Sequence, residues 1–291
     1  METIPVHWTA LSAPSAYLIR IQESTSDALS RMTEHPRAIT TAFERAAKKV
    51  REQLTLDPTG RKLESWEAAV LVLQTGSAMF EWAYTTDDAI DVMIDHEVRH
   101  LSTLKDNVAA RRSWGSSSHK WLTTFWWCLI CRDGPRLEQL ANIPAENLFP
   151  PHVQTDEYWI RWTEALQIWA LKQPGLVDKL GDAIQLSDPS IAVITPRDML
   201  DKINYQYIYL FYRVLQGDPD EFNTALQQAL HYHREYWTSD PDREDDFTGN
   251  LALGLLAIAC LALDSGIPVN VQSDYLPEHL LRGSWLGEFP I

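Results

Sequence analysis

The stretch PRDMLDKINYQYIYLFYRVLQ, Pro196 to Gln216, decides the fold class. Leu200, Ile203, Tyr207, Leu210, Phe211 and Val214 recur along it at spacings of three and four, which stacks them on one face of a helix. Such a face is stable only when buried, so the unit predicts a helix packed against others. The next helix opens immediately at Asp218-Pro219-Asp220-Glu221. An acid sits at the cap, Pro at the first helical position and Glu three residues after the cap, and each serves or tolerates the free N–H groups of a helix start. This helix is expected to run to about Trp237.

Similar periodic stretches at 15–33, 37–54, 61–84, 116–131, 155–173, 176–186 and 249–264 extend the reading to a mostly α, compact multi-helix array. Prolines and Asp-Pro or Gly turns punctuate the array at short intervals. One segment breaks the pattern. Over 88–104, Ile90, Val92 and Ile94 alternate with Asp91, Met93 and Asp95, and Val98 to Leu101 follow the polar Asp95-His96-Glu97, as in a small β-hairpin. Ile90, Met93, Ile94, Leu101 and Leu104 also fall near one helical face, so periodicity leaves both readings open. No flexible linker or fixed repeat divides the chain, so residues 1–291 read as one domain, with two abutting helical lobes as the second choice.

The composition narrows function. The chain has 291 residues, 45% of them hydrophobic, with 12 Trp, 10 Tyr and 8 Phe, enough for a substantial core. It carries 25 basic and 40 acidic residues, a net charge of −15, which disfavours nucleic acid and anionic membrane as partners and favours a basic protein. Three cysteines are too few for a disulfide framework, and no basic, then apolar, leader opens the chain, so a reducing cytoplasmic setting is expected. The longest apolar run, Leu251 to Leu263, is short of the roughly 20 residues a membrane helix needs and reads as a buried helix.

Several residue patterns bear on chemistry. His96-Glu97-Val98-Arg99-His100 matches H-E-x-x-H, in which a helix aims two His at zinc and the Glu activates water. Asp106 stands where short secreted zinc proteases place a third ligand, so a zinc-dependent hydrolase with His96, His100 and Asp106 as ligands is the alternative function. Against it, Thr103 replaces the Gly of that pattern, Arg99 brings a charge, and a hairpin would abolish the i,i+4 geometry. Cys128 and Cys131 have redox-motif spacing but follow an aromatic helix, where the dipole disfavours thiolate, so they read as buried small hydrophobes. His231 and His233 lie two apart and point to different sides, whereas His233 and Trp237, four apart, fit a stacked polar surface or, preferably, a hydrogen-bonded core His. No nucleophile elbow, phosphate loop or dinucleotide fingerprint is present, and no cofactor is expected. Asp240, Asp242, Glu244, Asp245 and Asp246, directly after Tyr236 and Trp237, form either a solvated loop or a docking surface for a cationic partner.

The order of phrases along the chain adds a resemblance. It runs through Trp66-Glu-Ala-Ala, Gln74-Thr-Gly-Ser-Ala-Met-Phe80, Trp121-Leu-Thr-Thr-Phe-Trp126, Tyr158-Trp-Ile-Arg-Trp-Thr-Glu-Ala-Leu-Gln167, Phe211-Tyr-Arg213, Phe222-Asn-Thr-Ala-Leu226, His233-Arg-Glu-Tyr-Trp237, Leu255 to Ala262 and Asp274-Tyr-Leu-Pro277. From about residue 35 to the end the chain resembles the immunity protein 49 family of bacterial polymorphic-toxin systems, and residues 85–113 fit least well. The resemblance implies a cytoplasmic helical protein without catalysis that binds and neutralises a toxin domain encoded by a neighbouring gene. An acidic inhibitor suits a basic toxin domain. The expected contact residues are Trp237, Asp240, Asp242, Glu244, Asp245 and Asp246, then Asp87, Asp88, Asp95 and Glu97. Trp66, Trp121, Trp126 and Trp162, at helical spacings, are expected in the core.

Overall fold

A computed structural model describes residues 3–115, 117–150 and 153–291. Three helices open the chain: α1 (Ala16–Arg31), α2 (Ala38–Leu56) and α3 (Leu63–Tyr84). Ser15 caps α1 by accepting from the Leu18 N–H at 2.9 Å. Nearly every residue of α3 from Ser65 to Ala83 is buried, because α2 covers one side and a later helix another.

The open segment is a hairpin, β1 (Ala89–Ile94) paired antiparallel with β2 (Glu97–Ser102), Ile94 opposite Glu97. Its two-residue turn puts Asp95 (φ 56°) and His96 (φ 62°) in the left-handed region, the geometry that matches strand twist and that Asp tolerates better than most residues. The side-chain amide of Gln74 on α3 accepts from the Asp95 N–H at 3.0 Å, and Ile90, Val92 and Ile94 are buried, with β1 packed against α3. Tertiary packing therefore selects the strand period over the helical one that the sequence also fits.

The chain continues through α4 (Val108–Gly115), α5 (Ser118–Ile130), α6 (Gly134–Ala141), α7 (Ala145–Leu148), α8 (Glu157–Ala170) and α9 (Leu176–Leu186). The helix expected over 116–131 is α5, and α4 before it is an element the pattern does not reveal. Residue 116 lies outside the described residues. The Arg111 guanidinium on α4 ties down the segments on both sides of the hairpin, donating to the carbonyls of Thr85 (2.6 Å) before it and of Thr103 (3.0 Å) and Asp106 (3.2 Å) after it.

The deciding stretch is not one uniform helix. It comprises α10 (Arg197–Met199), a π-helical turn at Leu200–Asn204 and α11 (Tyr205–Gln216). The wide turn lets the Tyr205 N–H reach the Leu200 carbonyl, and the Gln206 side-chain amide donates to the Asp201 carbonyl at 2.8 Å. Then follow α12 (Pro219–Trp237), α13 (Pro241–Glu244), a 3-10 turn at Phe247–Asn250, α14 (Leu253–Asp264) and α15 (Glu278–Leu281). Asp218 caps α12 as expected, accepting from Asp220 (2.9 Å) and Glu221 (3.0 Å).

In packing order, α1, α2, α3, α5, α14 and α11 form successive contacts, with α12 flanking α11 and α14, and α8 and α9 paired beside α11. Gly76 permits the α3–α5 approach, since a Cβ there would lie 2.5 Å from Thr124 Oγ1. The apolar window Phe247–Asp264 is long enough by composition to cross a membrane, but it divides into the 3-10 turn and α14. At 12 residues, α14 spans about 18 Å and is buried within the helices around it. Trp66, Trp121, Trp126 and Trp162 are buried as expected.

Candidate functional site

The acids after α12 form one exposed face. Asp240 caps α13 by accepting from the Arg243 N–H at 3.0 Å, and Asp246 caps the 3-10 turn by accepting from the Thr248 N–H at 2.8 Å. Both therefore fix the local backbone while remaining exposed, as do Asp242, Glu244 and Asp245, which make no ion pair among the described residues. The one cation in the tract is used internally. Arg243 lies 4.0 Å over the Tyr236 ring and pairs with Asp198 (2.6 Å) and Asp240 (3.2 Å). Lys202 pairs with Asp198 (2.9 Å) and Glu235 (2.7 Å). Its bond, helped by that from Arg243, holds the Asp198 carboxyl below the usual carboxylate range. Trp237 is half-buried, and Gly249 makes room for it: a Cβ at Gly249 would lie 2.6 Å from the indole.

The second acidic group is not brought together. Asp87 and Asp88 precede β1, whereas Asp95 and Glu97 lie at the turn, a six-residue strand of about 20 Å away. All four are exposed, and Glu97 pairs with Arg99 at 2.9 Å.

The zinc alternative loses its scaffold. His96 sits in the hairpin turn and packs edge-on against Phe289 at 4.8 Å between ring centroids. His100 lies on β2 with Nδ1 2.9 Å from the Asp91 carboxylate, across the sheet register. Asp106 is bound to Arg37 by two bonds, at 2.7 and 3.3 Å. The helix that H-E-x-x-H requires is a hairpin here, and among the described residues no cluster of three His, Cys, Asp or Glu has metal-site geometry. Cys128, Cys131 and Cys260 are free and buried, and burial pushes the thiols up, Cys260 to about 12. They behave as packing groups.

His233 is a hydrogen-bonded core histidine. It is buried, its Nε2–H donates to the Gly249 carbonyl at 2.9 Å, and burial lowers its pKa to about 4. Its Nδ1 has no protein partner.

The structure adds a feature the sequence did not single out. Asp156 stands at the cap position of α8, yet its carboxylate serves a loop 37 residues away, accepting from the N–H groups of Val193 (2.9 Å), Ile194 (3.0 Å) and Thr195 (2.6 Å). Burial raises its pKa, but the bonds from Thr195, Ile194 and Val193 outweigh that and leave it below the ordinary carboxylate value. The pinned loop holds Ile191, Val193 and Ile194 outward, 48%, 76% and 47% exposed, and Val153 nearby is 52% exposed. A groove of about 440 Å³ lies beneath, lined by Ile194, Val153, Phe149 and Trp159 among others. Through Pro196 the loop leads to Asp198, whose ion pair with Arg243 joins it to the acidic tract. Three large aliphatics exposed within four residues of a hydrogen-bonded loop make it a candidate for protein contact.

The model of the family described as immunity protein 49 matches residues 57–280, which takes in the chain from just before α3 into α15, including the hairpin, the pinned loop and the acidic tract. No curated protein and no solved structure matches the chain. With more than half its length matched by that model, the chain belongs to the immunity protein 49 family.

Proposed function

We propose that this immunity protein binds a cognate toxin domain stoichiometrically and neutralises it by covering a basic surface or the active-site cleft, in the cytoplasm of the cell it protects. The observation that carries this reading is the exposed acidic tract, joined through the Asp198–Arg243 ion pair to a loop with exposed aliphatic side chains. Asp240, Asp242, Glu244, Asp245 and Asp246 are exposed, and Arg243, the one cation within the tract, is engaged by Asp198 and Asp240. The charge of −15 steers a basic partner, raising the association rate more than the final affinity. The exposed Ile191, Val193 and Ile194 supply the apolar contact that slows dissociation. The partner is the toxin domain encoded by the neighbouring gene, and neutralisation needs no catalysis by the immunity protein.

Gel filtration of the purified pair, with a catalytically silenced toxin domain, tests the reading. A 1:1 complex at micromolar concentration is the expected result, and two separate peaks would contradict it. Reversing Asp242, Glu244 and Asp245 to Lys is expected to slow association at least about ten-fold at low salt. An unchanged rate would remove the tract from the contact face.

A further inference from the structure

A second cavity, about 240 Å³, lies where α2, α5, α8, α11 and α12 converge beside the π-helical turn. Trp126, Tyr207 and Trp237 give it flat aromatic walls. Three of its lining residues carry a buried polar atom without a partner: Arg51 Nε, Trp159 Nε1 and His233 Nδ1. Buried polar atoms are nearly always bonded, so three orphans around one void mark a place where something else supplies the partners.

Their chemistry is specific. Arg51 donates from Nη1 to the Ala47 carbonyl at 2.8 Å and makes no ion pair among the described residues; Asp246 acts on it only through space, so the guanidinium retains donors for an anion. Trp159 presents an N–H donor. His233 presents an acceptor, because its proton resides on Nε2, committed to Gly249. The complement is one anionic group, an N–H donor and a flat ring to lie against the aromatic walls. A single guanidinium, with no second cation lining the cavity, matches a monoanion, which favours a carboxylate over a phosphate. Voids of about 150 Å³ already accept benzene, so this one takes one or two fused rings.

We infer that this cavity is a binding site for a small planar aromatic carboxylate bearing a ring N–H, held by Arg51, Trp159 and His233. The site is independent of toxin neutralisation, and its failure would leave that reading standing.

Isothermal titration of the full chain at pH 7 with indole-3-acetate is the test, with indole-3-acetamide and 1-naphthaleneacetate as comparisons. One equivalent of indole-3-acetate is expected to bind with Kd below about 1 mM. The uncharged amide and the N–H-free naphthalene acid are each expected to bind at least about ten-fold more weakly, and Arg51→Gln to lose at least about ten-fold. No binding of indole-3-acetate at 1 mM, equal binding of the amide, or binding unaffected by Arg51→Gln would overturn the assignment. Should Arg51→Gln fail to fold, the acid-to-amide comparison on the unaltered chain decides alone.

Discussion

His233 ties one side chain to a pH dependence. Its folded pKa, about 4, lies below the ordinary imidazole value of 6.5, so between these values the unfolded chain binds more protons than the folded one. The advantage of the neutral ring is complete above pH 6.5 and is lost as pH falls towards 4, by up to about 3 kcal/mol. Thermal unfolding from pH 7 to pH 4.5 is expected to show falling Tm, with the fall reduced in His233→Gln, whose amide can still donate to Gly249. An identical slope in the variant would reject His233 as the cause. Asp156 gives a second residue-scale expectation. Asp156→Asn removes a carboxylate that accepts three backbone N–H groups and should destabilise the loop by roughly 1–3 kcal/mol. Hydrogen exchange at Val193, Ile194 and Thr195 should speed up while α11 stays protected; unchanged exchange would show that the loop holds itself. At this scale the sequence reveals the core Trp and Cys residues, because they sit in periodic apolar helices. It hides Asp156, which reads as a helix cap, and Arg51, which reads as one more cation on a charged helix, because their partners, or lack of them, are set by distant segments.

Among the elements, helices with a strong apolar stripe are readable to within a few residues, and Asp218-Pro219 announces α12 outright. The hairpin shows where periodicity stops. Ile90 and Ile94 fit both periods, and what selects the strand is the fit of Ile90, Val92 and Ile94 to α3 together with the Asp95–Gln74 bond. The π-helical turn is equally hidden, since widening one turn at Leu200–Asn204 leaves the apolar spacing around it intact. Short α4 carries too little pattern to read. The α3–α5 contact yields a mutational expectation: Gly76→Ala forces a methyl against Thr124 and Phe43 and should cost roughly 1–3 kcal/mol by chemical denaturation. Neutral or higher stability would mean that the two helices separate easily.

On the scale of the whole molecule, the excess of acids over bases is legible in the composition, but the apolar component of the face is not. Ile191, Val193 and Ile194 lie in a segment without periodicity, and only the fold, through the Asp156 carboxylate, holds them outward. Val193→Asp, at a position 76% exposed, should leave Tm unchanged while weakening toxin binding at least about ten-fold, chiefly by faster dissociation. A variant that binds normally would confine the contact to the acids. The central claim, neutralisation by stoichiometric binding, is tested most directly by titrating this protein against a fixed amount of its cognate toxin domain and measuring residual toxin activity. Loss of activity that is complete at one equivalent is the result expected of neutralisation by binding. Full protection at a small fraction of an equivalent, or none at any ratio, would contradict it.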